Sequence, residues 1–187
     1  MQPVEPQATL MARVAAGDAR AFTSLVGELY APALRVALRV VGDRAEAEDA
    51  LQGALTRLWT EAARFDAGKG SVGGWFRRIV VNQCFDRKRR LKVVAPIEAA
   101  ATVPSDLPDP FEAADANARA RRVDAAMAQL NPRQRAAITL FHGEGASMAE
   151  IAASLDTTPK AVEGLLARAR SELSRLLIDE RPEARDG

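Results

Sequence analysis

Trp75-Phe76-Arg77-Arg78-Ile79-Val80-Val81-Asn82-Gln83-Cys84-Phe85-Asp86-Arg87-Lys88-Arg89-Arg90 is the stretch that decides how this chain folds. Val72, Trp75, Phe76, Ile79, Val80 and Gln83 recur at steps of three and four, the spacing that lines one face of a helix. The same helix runs straight into a basic cluster, where Arg77, Arg78, Arg87, Lys88, Arg89, Arg90 and Lys92 stand against a single acid, Asp86. Arg78, Asn82, Asp86 and Arg89 fall roughly along one side, so phosphate contacts there would hold Asn82 against an exposed base. Trp75 and Phe76 offer apolar surface on which unpaired bases stack, or else they belong to the core; for Phe76 the core reading is preferred.

Upstream, the glycines and short polar residues of Asp66-Ala67-Gly68-Lys69-Gly70-Ser71 favour turn geometry, which predicts a loop. Before it, Ala47, Ala50, Leu51, Ala54, Leu55, Leu58, Trp59 and Ala62 form one helical stripe, and Phe22, Leu25, Val26, Leu29, Leu34, Ala37, Leu38 and Val41 form another. Pro32 is expected to divide or kink the earlier helix. The acids of Asp43-Arg44-Ala45-Glu46-Ala47-Glu48-Asp49-Ala50-Leu51-Gln52 sit at a helix start, where the helix dipole favours them without any function. They equally suit an interaction face, with Asp49 and Gln52 projecting together toward a basic partner.

Downstream of Val94 the periodicity stops. Pro96, Pro104, Pro108 and Pro110, with Glu98, Asp106, Asp109, Glu112 and Asp115 and no base from Pro96 to Asn117, read as a flexible acidic linker. Four short helices should follow, at 119–130, 132–141, 148–155 and 159 to about 177. Asn131-Pro132 and Thr158-Pro159 each put a capping residue before a proline suited to the first helical turn, and Ser147-Met148-Ala149-Glu150 has capping-box spacing. Asp156-Thr157-Thr158 is the length of a helix-turn-helix turn, in which the second helix enters the major groove. Ala161, Val162, Leu165, Leu166, Ala169 and Leu173 would face inward, leaving Lys160, Glu163, Gly164, Arg168 and Ser171 outside; any helical hairpin with charged faces has the same pattern. No stretch shows strand alternation, so the fold class is all-α, with two small helical domains at 1–92 and 118–180, a linker at 93–117 and a tail at 181–187.

The 187 residues are 48% hydrophobic and 27% charged, enough for packed cores. The net charge of +1 says little, but its segregation into a basic helix and an acidic linker points to a surface for polyanions. One cysteine, Cys84, and one histidine, His142, leave no internal disulfide and too few ligands for zinc, so no metal and no cofactor are expected. Cys84, on a mainly buried helix, reads as packing and not as a redox sensor. No apolar run approaches a membrane span and the first residues lack a signal-peptide pattern, so a cytoplasmic location without membrane insertion is expected. Nothing marks a phosphate loop, a nucleophile with a partnering histidine or a small-molecule substrate site, which argues against an enzyme.

Taken together, Gly17-Asp18-Ala19-Arg20-Ala21-Phe22, Ala47-Glu48-Asp49-Ala50-Leu51-Gln52, Arg57-Leu58-Trp59, Phe65-Asp66 and Trp75 to Asn82 with Asp86 and Arg89-Arg90 resemble region two of the extracytoplasmic-function sigma factors (group 4 of the sigma-70 family). Leu130-Asn131-Pro132-Arg133-Gln134-Arg135, Ser147-Met148-Ala149-Glu150-Ile151-Ala152 and Ala167-Arg168-Ala169-Arg170 resemble region four of the same group. The resemblance implies a transcription initiation factor that binds bacterial RNA polymerase core, directs it to promoter DNA and assists melting. Asp49 and Gln52 would grip the clamp helices of the largest polymerase subunit, and region four would meet the flap of the second-largest. Asn82 would read a minus-ten base, the 66–74 loop with Lys69 and Ser71 would capture a flipped base, and Trp75, Arg78, Arg87, Arg89 and Arg90 would complete that surface. Ser147, Lys160, Glu163, Gly164 and Arg168 would face the minus-thirty-five groove. An anti-sigma protein is implied as a further partner, with the chain nucleoid-associated when active or held at the membrane through that partner. A sigma-mimicking adaptor that sequesters an anti-sigma protein without touching DNA is the alternative; the intact basic run and Asn82 argue against it.

Two departures from the family pattern bear on specificity. Val162-Glu163-Gly164-Leu165-Leu166 replaces a Val-Lys-Ser-Arg-Leu pattern, losing two bases, although Glu163 can accept a hydrogen bond from a cytosine amino group. Gly53 stands where an acid often follows the glutamine.

Overall fold

The computed structural model describes residues 6–94 and 112–179, and every element among them is helical. Of the stretch read as linker, residues 95–111 lie outside the described residues, as do 1–5 and 180–187, which include the expected tail. The first half comprises α1 (Gln7–Ala15), α2 (Ala19–Val41), α3 (Arg44–Thr60), two single 3-10 turns (Ala62–Arg64 and Ala67–Lys69) and α4 (Val72–Val94). The second comprises α5 (Glu112–Gln129), α6 (Pro132–Ile138) running into a π turn (Thr139–Gly143), α7 (Met148–Ser154) and α8 (Pro159–Asp179).

Side-chain caps set most of these boundaries. Asp18 accepts from the backbone N–H of Arg20 at 2.9 Å and of Ala21 at 3.2 Å, starting α2. Gly42, at φ 81°, ends that helix in the left-handed region, and Asp43 then accepts from Glu46 N–H at 2.9 Å to start α3. Asn131 with Gln134, and Ser147 with Glu150, form reciprocal capping boxes at the heads of α6 and α7, as the spacing suggests.

Three boundaries differ from the sequence expectation. Helix α2 runs through Pro32 undivided. A proline inside a helix costs about 3 kcal/mol, whereas fully burying one leucine or valine contributes roughly 1.5–3 kcal/mol, and Leu25, Leu29, Val36 and Val40 are buried on either side of it. Helix α4 runs past the expected domain boundary at residue 92 to Val94, and α5 begins at Glu112, inside the segment read as linker. The Glu112-Ala113-Ala114-Asp115-Ala116 composition explains that start, since alanine is the strongest helix former and acids suit a helix N-terminus. Helix α1, with Leu10, Met11 and Val14 buried, precedes the helical stripes that the sequence marks.

Leu25, Val36, Leu51, Leu58, Phe76 and Val80 fill the first half, and Leu140, Ile151, Leu155, Val162 and Leu166 the second. Helix α4 packs on α7 and α2 on α6, so the two sets of apolar side chains merge into one continuous core.

Candidate nucleic-acid interface

Helix α4 is the centre of the site. Ser71 starts it by accepting from Gly74 N–H at 3.1 Å, and Val72, Phe76, Ile79, Val80, Val81 and Cys84 are buried, which turns the basic side outward. Phe76 is 1% exposed and belongs to the core. Trp75 is half-buried and stands edge-on to Phe65, with ring centroids 5.9 Å apart at 68°, so one flank of the indole remains at the surface beside the preceding loop. In that loop Asp66 accepts from Gly68 N–H at 2.9 Å and pairs with Lys69 at 3.3 Å. The Gly68 bond first, then Lys69, holds the Asp66 carboxyl below its ordinary range. Gly70, at φ 143°, supplies a backbone geometry that side chains rarely adopt.

Arg78 is exposed, Asn82 half-buried, and Arg89 and Arg90 exposed. Arg89 pairs with Asp86 one turn back at 2.8 Å. Spacings of four, four and three put Arg78, Asn82, Asp86 and Arg89 on one flank of α4. Arg87 points elsewhere: its Nε donates to Glu46 Oε2 at 2.6 Å and its Nη2 to Asp49 Oδ2 at 2.7 Å, both on α3. Asp49 and Gln52 are exposed one turn apart on α3. Gly53 allows α4 to approach there, since a Cβ on it would meet Gln83 Oε1 at 3.0 Å; an acid at this position would have to displace Gln83. Cys84 is fully buried, and burial pushes its thiol up to about 12, so it stays protonated and unreactive.

Helices α7 and α8 form the helix-turn-helix, with Asp156 at φ 50° in the turn and Thr158 accepting from Ala161 N–H at 3.2 Å to cap α8. Lys160, Glu163 and Arg168 are exposed on α8, while Val162, Leu165, Leu166 and Ala169 are buried. Ala161 and Leu173 are half-buried. Gly164 leaves space over which Arg168 folds back, its Nη2 lying 3.6 Å from where a Cβ would stand. Ser147 is exposed, but its hydroxyl is engaged with Glu150 at 2.8 Å. The α4 and α7–α8 surfaces meet at an ion pair between Arg78 Nη2 and Asp156 Oδ1, 3.6 Å apart.

One residue escaped the sequence reading. Arg135 is 5% exposed, donates to the carbonyls of Ala128 and of Leu130 at 3.1 Å, and reaches Val40 of α2 at 3.3 Å. Burial lowers its pKa. It lies within the Leu130 to Arg135 motif, and no hydropathy signal distinguishes it from the exposed Arg133. Among the described residues no cluster of His, Cys, Asp and Glu is arranged to hold a metal, and no helix is long and apolar enough to cross a membrane.

The sigma-70 region 2 family model matches residues 25–93, and the sigma-70 region 4 model residues 120–173. The chain is 37% identical over 177 residues to the ECF RNA polymerase sigma factor SigM of Mycobacterium tuberculosis, covering 91% of this chain and 84% of that one. It is 32% identical over 187 residues to the RNA polymerase sigma factor CnrH of Cupriavidus metallidurans, covering 95% and 97%. Among solved structures, CnrH in complex with the cytosolic domain of CnrY superposes with a TM-score of 0.67 at 29% identity, covering 95% of this chain and all of that one. The sigma factor RpoE of Bartonella quintana, in complex with the anti-sigma factor NepR, shares the fold at a TM-score of 0.69 and 23% identity, covering 86% and 98%.

Proposed function

The chain belongs to the extracytoplasmic-function sigma factors of the sigma-70 family, and from that premise we propose how its surfaces divide the work. Helix α3 docks on the core of bacterial RNA polymerase through Asp49 and Gln52. Helix α4 and the 66–74 loop read and hold separated minus-ten strands, with Asn82 on a base and Arg78, Arg89 and Arg90 on phosphates. Helix α8 enters the minus-thirty-five groove with Lys160, Glu163 and Arg168, Gly164 letting Arg168 lie close to the helix. The polymerase carries out the nucleotide chemistry, and this chain supplies the recognition surface. The observation that carries this reading is the juxtaposition of an α4 flank carrying the exposed Arg78 and Arg89 and the half-buried Asn82 with an exposed acidic face on the adjoining α3. An extruded base costs a few kcal/mol of lost stacking and pairing, and a cationic helix beside a glycine-bearing loop suits that task.

An anti-sigma protein is a further proposed partner, supported by the complex of the 29%-identical CnrH with the cytosolic domain of CnrY. The expected outcome of Asn82→Ala is loss of promoter selection in run-off transcription with purified core polymerase, with core association in pulldown retained. Equal loss of both, or of neither, contradicts the assignment.

A further inference from the structure

Arg87 stands apart from the other cations of α4. Its side chain is 29% exposed, against 49% for Arg78 and 78% for Arg89. Its two bonds run not to its own helix but to Glu46 and Asp49 on α3. The hydrogen bond to Glu46 foremost, with the charges of both acids, pushes its pKa higher still. Asp49, by contrast, keeps 55% of its side chain exposed while Arg87 holds one of its oxygens.

We propose that Arg87 is a positioning residue for the polymerase-docking face and not a phosphate contact. This rests on the reading of Asp49 and Gln52 as docking residues. Glu46 and Asp49 lie three residues apart on one helix face, where like charges repel; the Arg87 guanidinium bonds both carboxylates and offsets that repulsion. Charge-assisted bonds of this kind are short and directional. Held through Oδ2, the Asp49 carboxylate presents its other oxygen in a set orientation beside Gln52, so less side-chain freedom is lost when a basic partner docks. Reaching a DNA phosphate would require Arg87 to give up both ion pairs. The contact also ties α3 to α4 one turn from the place where Gln83 lies over Gly53, so the docking face and the promoter-reading helix are held as one unit.

The test is titration of the full chain against core polymerase without DNA, followed by promoter binding of the holoenzyme across a salt series. Arg87→Ala should lower core affinity about threefold to tenfold, in the lower part of the range of coupling between residues in one ion-pair network. Arg87→Lys should recover part of it, since an ammonium reaches one carboxylate but lacks the fork. In an Asp49→Ala background, Arg87→Ala should cost nothing further in core affinity, a readout that a merely structural role would not move. The salt slope of promoter binding should stay unchanged, whereas losing one phosphate contact reduces it by about 0.7 on a separated strand or about 0.9 on duplex. A reduced slope, an undiminished core affinity in Arg87→Ala where Asp49→Ala does weaken binding, or an equal loss in the Asp49→Ala background would each overturn the proposal. If neither Asp49→Ala nor Gln52→Ala weakens core binding, the docking reading itself fails and takes the role of Arg87 with it.

Discussion

Arg135 and Arg133 are two residues apart in one short helix, and sequence alone ranks them as equals. In the structure Arg133 is exposed and Arg135 buried, because three backbone carbonyls from α5, the following turn and α2 converge where the Arg135 side chain ends. A carbonyl left without its donor in a buried site costs about 1–3 kcal/mol. Arg135→Ala is therefore expected to lower stability by about 2–4 kcal/mol, since some carbonyls will find water. Arg133→Ala should change it by less than about 0.5 kcal/mol. Urea unfolding of the two variants checks the contrast; equal effects would show that the guanidinium bonds carry no weight.

At the scale of elements, caps were legible and helix continuity was not. The Asn131–Gln134 and Ser147–Glu150 pairs are local patterns, so their spacing announces α6 and α7 directly. Whether Pro32 breaks α2 depends on how much apolar surface is buried on each side of it, which only packing decides. Ser147→Ala should destabilise the fold by about 1 kcal/mol through loss of the α7 cap. The backbone N–H of Ser147 first, and then its hydroxyl, hold the Glu150 carboxyl below its ordinary value of 4.5. A carboxyl lowered by folding contributes stability that is fully present above that ordinary value and is lost as pH falls through the lower, folded-state value. Thermal melts followed by circular dichroism from pH 7 to pH 3 should therefore fall more steeply for the natural chain than for Glu150→Gln; parallel curves would remove the capping box from the stability account.

On the scale of the whole molecule, the two halves are packed together through α2–α6 and α4–α7, with Arg78 facing Asp156 across the joint. Promoter elements about 25 base pairs apart lie roughly 85 Å from one another at 3.4 Å per pair. A compact chain of this length has a radius of gyration of about 16 Å, too small to touch both, so the proposed reading of both elements requires the joint to open. Small-angle scattering of the free protein should give about 16 Å, against about 20 Å for two bodies on a flexible tether. Gly143→Arg should shift the free protein toward the larger value, because its Cβ would stand 3.8 Å from Arg39 Nη1 and the new guanidinium would repel that cation. A free chain that already measures near 20 Å would show that the joint does not hold in solution. By itself the sequence determined the helical class, the two capped helices of the helix-turn-helix, most of the buried stripe of α4 (Val72, Phe76, Ile79 and Val80, with Trp75 and Gln83 half-buried) and the exposure of Asp49, Gln52, Arg78, Lys160 and Arg168. These are properties of periodicity and local hydrogen bonding within a few residues. Tertiary structure alone decided that Arg87 faces α3, that Arg135 is buried and that the two halves share a core. Each of those depends on atoms many residues apart meeting at hydrogen-bond distance, and periodicity along one helix carries no information about what lies across from it.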